Sequence, residues 1–167
     1  RVKKIAEYVD SAYVIFPFEE SYFRARGVNA KYVGHPVKER IDEFLIDHKK
    51  IKRDTQQIAL LPGSRKQEIE RVLPTLLEYA IKMGSSWKFK LALNSSAKKY
   101  IKGLVLPENV ELEFDSTYLV VRKSRMAIAT SGTVTLETAL IGTPQIVCYK
   151  ASGLNYRLGR MFIKVSF

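Results

Sequence analysis

Two short segments of the chain combine small, hydroxyl-bearing and charged residues in a way that suits an anionic ligand. Residues 60–65 (LLPGSR) end the apolar run 58–61, and residues 129–133 (ATSGT) end the apolar run 126–129. A strand that ends in Gly, Ser or Thr and opens a helix leaves unpaired backbone N–H groups. The helix dipole adds partial positive charge at the same place. If both helices begin at one edge of a parallel sheet, the two segments predict a phosphate-binding site.

The first segment offers one residue for each task that such a site requires. Gly63 would let a ligand approach the backbone closely, and Ser64 is a suitable N-cap for a helix that begins at Lys66. Arg65 could pair a diphosphate with two parallel hydrogen bonds. Taken alone, this tripeptide slightly favours the simpler interpretation, a capped turn with a solvated arginine.

The second segment offers donors and, further along, an acceptor. Ser131, Gly132 and Thr133 provide backbone and hydroxyl donors, and Glu137 follows about one turn into the predicted helix, where it could reach ribose hydroxyls. An ordinary helix start, with an acidic residue that complements the dipole, would use the same residue types. Each segment alone is ambiguous, but the two together favour a binding site because both follow predicted apolar strands.

Two further polar residues could lie near the same ligand. His35, in the turn Gly34-His35-Pro36, could line a cleft between two domains, although a turn histidine bonded to the backbone is the interpretation we prefer over catalysis. Asn94 ends the predicted strand 87–93 and either faces the ligand edge or simply forms a turn.

Composition limits the classes of protein to consider. The 167 residues are 46% hydrophobic, enough for a folded core, and no apolar run approaches the roughly 20 residues of a membrane-spanning helix. The net charge of +11 favours an anionic partner such as a nucleotide, a phospholipid surface or a nucleic acid. A single cysteine, Cys148, excludes an internal disulfide, and we interpret it as an inert buried thiol in a reducing compartment. No Cys/His spacing suits zinc, so we predict no metal site.

Alternating patterns predict an α/β fold, a Rossmann-like doubly wound parallel sheet. Charged residues dominate 37–56, which we interpret as a short helix (37–46) and an exposed linker between domains. Beyond it, we expect strands and helices to alternate from 57 to 149, and Pro74 should kink or split the longest helix. The predicted strands are 57–61, 87–93, 110–114, 126–129 and 145–149, and the predicted helices are 66–83, 95–103, 117–123 and 134–141.

The end of the chain predicts an amphipathic helix over 150–167. One face is apolar, whereas Arg157, Arg160 and Lys164 share another face that could contact anionic lipid headgroups. A solvated helix face is the usual alternative. Because the chain begins at Arg1 and stops without a helix cap, we expect it to be truncated at both ends.

Several strings of the sequence are specific when they occur together. They are FPFE (16–19), YVGHP (32–36), LPGSR (61–65) with Glu68, ATSGT (129–133) with Leu136-Glu137, GTP (142–144) and YK (149–150). In combination they resemble lipid-A-disaccharide synthase, a glycosyltransferase of the two-Rossmann-domain (GT-B) class, from residue 1 to the end. One departure is Ser124-Arg125, where the family often has an acidic residue.

The resemblance implies a domain organisation. Residues 1–36 would be the tail of the N-terminal (acceptor) Rossmann-like domain, 37–56 a linker, and 57–149 the C-terminal nucleotide-sugar-binding Rossmann-like domain. Residues 150–167 would start a C-terminal amphipathic helix.

The resemblance also implies a reaction. The 6-hydroxyl of 2,3-diacylglucosamine 1-phosphate would attack the anomeric carbon of UDP-2,3-diacylglucosamine with inversion, and UDP would leave. No cofactor or metal is implied, so helix N-termini and cationic side chains would stabilise the diphosphate. Glu137 would bind ribose, and the general base would belong to the largely absent N-terminal domain, so we expect little activity from this chain alone. The residues assigned to the diphosphate are Gly63, Ser64, Arg65, Ser131, Gly132 and Thr133.

These implications define the expected partners and the alternatives. We expect a UDP-sugar donor, an acylated glucosamine phosphate acceptor and the cytoplasmic face of a Gram-negative inner membrane, where the protein would be peripheral. A UDP-sugar epimerase of the same architecture is one alternative. A basic nucleic-acid-binding module is another, but we expect no nucleic acid because the aromatic residues lie in apolar runs and no binding signature is present.

Overall fold

The computed structural model describes residues 2–149, and the chain divides into two compact units between Lys49 and Lys50. This division lies inside the predicted linker 37–56. Most of the first part of that stretch is helical, however, and the first strand of the second unit begins at Asp54 rather than at residue 57.

The first unit is a small α/β element in which two short strands pair in parallel. Pro17 begins its second helix, where the fixed φ of proline suits a first helical position. Val14, Val28 and Ala30 form its core. Its elements are α1 (Val2–Tyr8), β1 (Ala12–Val14), α2 (Pro17–Arg24), β2 (Ala30–Tyr32) and α3 (Pro36–Asp47).

The second unit contains a five-stranded, all-parallel sheet in the order β5-β4-β3-β6-β7. The predicted Rossmann-like doubly wound parallel sheet is therefore confirmed. Its elements are β3 (Asp54–Leu61), α4 (Lys66–Met83), β4 (Lys88–Leu93), a 3-10 helix (Ser95–Tyr100), β5 (Val110–Phe114), α5 (Thr117–Lys123), β6 (Ser124–Thr130), α6 (Thr133–Leu140) and β7 (Gln145–Cys148).

The order of the strands reverses between β3 and β6. From β3 the chain moves outward to β4 and β5, and then returns to place β6 on the other side of β3. The register pairs Leu61 with Ala129, so both strands end side by side. In doubly wound sheets, such a reversal opens a crevice at the carboxyl ends of the strands, where ligands bind.

Helix α4 packs on the sheet through the apolar face that its spacing predicts. Buried residues of α4 meet side chains from β3, β4 and β6 in one core, and the helix runs unbroken through Pro74, so the predicted split does not occur. The buried residues of α4 are Ile69, Val72, Leu73, Leu76, Leu77 and Ala80.

Three predicted elements differ from the structure by more than one residue at one end. Residues 95–103 were expected to form a helix, but only a 3-10 helix forms, with Asp115 accepting a hydrogen bond from the backbone N–H of Ser95. Strand β6 begins two residues early, because the buried hydroxyl of Ser124 accepts a hydrogen bond from Nε2 of Gln57 (2.9 Å). Polar residues at a strand start give no apolar signal, and the early start of β3 at Asp54 has the same explanation. Within residues 2–149, no helix is both long and apolar enough to cross a bilayer.

Candidate functional site

A cavity of about 380 Å³ opens at the point where β3 and β6 end. Eight of the residues predicted from the sequence to bind or face a ligand line it, together with polar residues that were given no binding role there. Those eight are Gly63, Ser64, Arg65, Asn94, Ser131, Gly132, Thr133 and Glu137; the additional polar residues are Glu68, Thr117, Tyr118 and Thr130.

The turn after β3 is organised around a carboxylate of the protein. Oε2 of Glu68 accepts hydrogen bonds from the backbone N–H groups of Ser64 and Arg65, both at 3.2 Å. Gly63 has φ of +100°, and a Cβ there would lie 2.5 Å from that same oxygen. The absence of a side chain at Gly63 thus makes room for Glu68, and the prediction that it also lets a ligand approach the backbone stays a prediction.

The helix cap at this turn is also one residue later than predicted. Arg65, not Ser64, is the N-cap of α4, and Glu68 is the third helical residue, which bonds back to the cap amide. Since Glu68 already occupies the N–H groups of Ser64 and Arg65, these two amides are not open donors. The contribution of this turn to an anion site therefore rests on the side chains of Ser64 and Arg65 and on the dipole of α4.

Arg65 extends its guanidinium toward solvent at the mouth of the cavity. Its side chain is 84% exposed and forms an ion pair in which Nη1 lies 3.2 Å from Oε1 of Glu68. An exposed pair of this kind contributes at most about 1 kcal/mol to stability. Because a guanidinium carries five N–H donors, most of them are not used by this contact.

The turn after β6 differs from the first because its amides are open. The N–H of Ser131 donates to the carbonyl of Cys148 (3.1 Å), but those of Gly132, Thr133 and Val134 donate to no group among residues 2–149. A Cβ at Gly132 would meet nothing within 4 Å. Packing of the described residues thus does not explain this glycine, whereas close approach of a ligand to the N-terminus of α6 would.

Glu137 lies on α6, and its carboxylate faces a partner from α5. The hydroxyl of Tyr118 donates to Oε1 of Glu137 at 2.8 Å. Both side chains are half-buried and line the cavity. Nothing in the spacing of residues 117–123 pointed to Tyr118.

The charges that line the cavity do not by themselves favour an anion. Among the described residues that line it, Arg65 is the one cation, while Glu68 and Glu137 are both acidic. Attraction for a diphosphate must then come from the dipole and open amides of α6, from Arg65 and from the positive field of a chain with net charge +11.

Asn94 and His35 both act as helix caps. Asn94 accepts a hydrogen bond from the N–H of Ser96 (3.3 Å) while it also lines the cavity. His35 belongs to the first unit, where Nδ1 accepts a hydrogen bond from the N–H of Val37 (3.1 Å) at the start of α3.

The three residues predicted to contact lipid lie outside the described residues. They are Arg157, Arg160 and Lys164.

Cys148 ends β7, the strand next to β6. Its thiol is half-buried, and burial raises the pKa of that thiol above its ordinary value. A thiol that stays protonated is a poor nucleophile, which agrees with the interpretation of an inert residue.

Among residues 2–149, no three His, Cys, Asp or Glu residues are grouped as metal ligands would be.

The parallel sheet, its reversal point and the cavity there define a Rossmann-like domain. Two solved structures share this fold at low identity. A UDP-GlcNAc 2-epimerase of Methanocaldococcus jannaschii, in complex with UDP-GlcNAc and UDP, is 13% identical with a TM-score of 0.58, and the match covers 81% of this chain and 45% of that one. An S. aureus TarM mutant in complex with Fondaparinux, alpha-GlcNAc-glycerol and UDP is 14% identical with a TM-score of 0.52, covering 87% and 31%.

The chain belongs to the lipid-A-disaccharide synthetase family, whose model matches residues 1–167. Lipid-A-disaccharide synthases of Syntrophus aciditrophicus, Nitrosococcus oceani and Koribacter versatilis are 39%, 36% and 33% identical to it. Each match covers 99% of this chain but 46% of the relative. The chain therefore spans about half the length of the curated relatives it matches.

Proposed function

We propose that this chain is the donor-binding part of an inverting glycosyltransferase. That enzyme joins UDP-2,3-diacylglucosamine to 2,3-diacylglucosamine 1-phosphate and releases lipid A disaccharide 1-phosphate and UDP. One observation carries the proposal: the two segments predicted to hold a diphosphate, and the glutamate predicted to hold ribose, line one cavity at the reversal point of the sheet. Its volume of about 380 Å³ is within the range of small-molecule sites.

In this proposal the diphosphate lies against the N-terminus of α6. The open amides of Gly132, Thr133 and Val134 donate to phosphate oxygens, and the hydroxyls of Ser131 and Thr133 add further donors. From the opposite turn, Arg65 supplies charge and Ser64 supplies a hydroxyl. Gly63 contributes indirectly, because it admits the carboxylate that shapes this turn.

The reaction needs charge stabilisation at the leaving group. The 6-oxygen of the acceptor forms a bond to the anomeric carbon while the bond from that carbon to the diphosphate breaks, and UDP leaves with the electron pair. The acceptor proton passes to a general base outside this chain. Fixed amides and an arginine at the diphosphate stabilise the charge that develops there, without the reorganisation that water would need.

The same proposal gives each part of the chain a role and places the protein at a membrane surface. Residues 1–36 are the tail of the acceptor domain, and the predicted linker 37–56 shortens to 37–53, because the donor domain begins with β3 at Asp54 and runs to 149. The acceptor and donor both carry acyl chains, so the protein works as a peripheral protein at the cytoplasmic face of the inner membrane. Arg157, Arg160 and Lys164 supply cations for lipid headgroups there.

Calorimetric titration of the intact chain tests the binding step. UDP is expected to bind, and single-stranded DNA at physiological salt is expected not to compete with it. Tight, salt-sensitive binding of DNA without binding of UDP would instead support a basic nucleic-acid-binding module. The control is uridine, which lacks the diphosphate and should bind more weakly than UDP.

A product assay tests the reaction. The natural full-length protein is incubated with UDP-2,3-diacylglucosamine and the acylated glucosamine 1-phosphate. Formation of the disaccharide and UDP supports glycosyl transfer. Epimerised UDP-sugar without disaccharide would support the alternative that the protein is an epimerase. The Methanocaldococcus epimerase has the same fold as this chain.

A further inference from the structure

Tyr118 and Glu137 form a hydrogen-bonded pair across two helices of the cavity wall. The phenolic hydroxyl lies 2.8 Å from Oε1 of the carboxylate, and both side chains are half-buried. Tyr118 is the second residue of α5, and Glu137 is the fifth residue of α6. The two residues are 19 positions apart in the chain, so only the packing of α5 beside α6 brings them together.

The pair leaves the acceptor capacity of Glu137 largely intact. Tyr118 donates to one lone pair of Oε1, and within the described part of the chain Oε2 accepts no hydrogen bond and the carboxylate forms no ion pair. An ionised carboxylate has about four lone-pair positions. Glu137 can therefore still accept hydrogen bonds from two hydroxyls of a ligand.

Tyrosine suits the task of holding this carboxylate. A glutamate side chain has three rotatable bonds, and ordering it has an entropic cost that its ligand contacts must exceed. The phenol is rigid, with two rotatable bonds, and its half-buried ring fixes the position of the hydroxyl. A carboxylate that is oriented before the ligand arrives binds more tightly, because less ordering occurs on binding.

We infer that Tyr118 is a positioning residue for nucleotide recognition: its hydroxyl holds the Glu137 carboxylate in the orientation that accepts the ribose hydroxyls of the UDP moiety. This inference rests on the proposed function, since it concerns the ribose end of the same cavity. It assigns Tyr118 no direct part in the chemistry. It also makes selection of ribonucleotides over deoxyribonucleotides depend on a residue of α5.

The test compares UDP with 2′-deoxy-UDP and 3′-deoxy-UDP by calorimetry on the intact chain. The wild-type chain should bind at least one deoxy ligand about tenfold more weakly, which is typical for loss of a hydrogen bond to a charged group. We call the Kd of the deoxy ligand divided by the Kd of UDP the ratio. Tyr118→Phe keeps the ring and removes the hydroxyl, and it should reduce the ratio to about threefold or less. Tyr79→Phe, which removes a hydroxyl from a separate apolar groove, should leave the ratio unchanged.

A double-mutant cycle separates positioning from a general structural effect. In a Glu137→Gln background the ratio should already be low, and adding Tyr118→Phe should change it no further. Thermal unfolding of each variant shows whether it is folded. If Tyr118→Phe folds poorly, Tyr118→Leu, which also lacks the hydroxyl, takes its place and should reduce the ratio in the same way.

Each result decides a different point. A reduced ratio in Tyr118→Phe, absent in the Glu137→Gln background, supports the inference. If Tyr118→Phe binds UDP with an unchanged ratio, or loses affinity for all three ligands equally, the inference is overturned while the proposed function stands. If the wild-type chain does not bind UDP, the proposed function fails and the inference fails with it.

Discussion

The α-carbon of Gly63 faces the carboxylate of Glu68 so closely that no side chain fits between them. A Cβ at residue 63 would lie 2.5 Å from Oε2 of Glu68 and 2.9 Å from Cγ2 of Thr130. The same oxygen accepts hydrogen bonds from the two amides that follow. The shape of this cavity wall therefore depends on a contact within the protein, and a ligand would meet a turn that is already held in place.

Gly63→Ala should destabilise the chain by about 2–3 kcal/mol. Alanine at φ of +100° is strained, and its methyl group would displace Glu68 from the amides of Ser64 and Arg65. The matched control is Gly103→Ala, which has φ of +78° but no atom within 4 Å of the added carbon, and which should cost about 1 kcal/mol. Urea unfolding measures both, and equal losses would contradict the proposed clash.

Glu68→Ala should lower stability by about 1 kcal/mol, as expected for loss of a helix cap. It should nevertheless keep or slightly tighten UDP binding, because it removes a negative charge from the cavity and opens two amides. Glu70→Ala, on the same helix but absent from the cavity lining, should change either quantity little. Binding weakened tenfold or more in Glu68→Ala would show instead that Glu68 orients Arg65 for the ligand.

Arg65→Ala should weaken UDP binding by roughly 1.5–3 kcal/mol through loss of charge-assisted hydrogen bonds. Arg125→Ala removes the same charge near the amino end of β6, away from the cavity, and should have a much smaller effect. Calorimetry at two salt concentrations checks both variants, since an exposed cation contributes less at high salt. An unchanged affinity in Arg65→Ala would leave Arg65 as a solvated residue.

Cys148 should react slowly with iodoacetamide at pH 8 in the folded chain and much faster in urea. Burial raises the pKa of its thiol above the ordinary value of 9.0, so the reactive thiolate is scarce while the chain is folded. The same shift sets the sign of the pH dependence of stability. The contribution of the protonated Cys148 thiol to the free energy of unfolding is complete below pH 9.0, and it is lost as the pH rises through the raised pKa of the folded state. Equal alkylation rates in folded and unfolded chain would contradict this protection.

Local patterns were sufficient for most elements of the second unit. The bounds 66–83 predicted for α4 match the structure, because its apolar spacing and its flanking glycine are local signals. Strand ends were less certain where polar residues are buried. The bond between Gln57 and Ser124 joins residues 67 positions apart, and no local pattern reveals it.

The side chains of the cavity were predicted unevenly for the same reason. Gly63, Ser131 and Glu137 could be found from the residue types that follow apolar strands. Tyr118 could not, since its contact with Glu137 depends on how α5 packs beside α6.

The order of residues along the chain dictated that two polar turns would follow parallel strands, because hydrophobic periodicity and helix-start residues act over a few positions. Only the folded sheet decided that these turns are neighbours, since strand order is set by long-range pairing of β3 with β6. Tertiary packing also decided which groups are open to a ligand. It closed the amides of Ser64 and Arg65 with Glu68 and left those of Gly132 and Thr133 without a partner among residues 2–149.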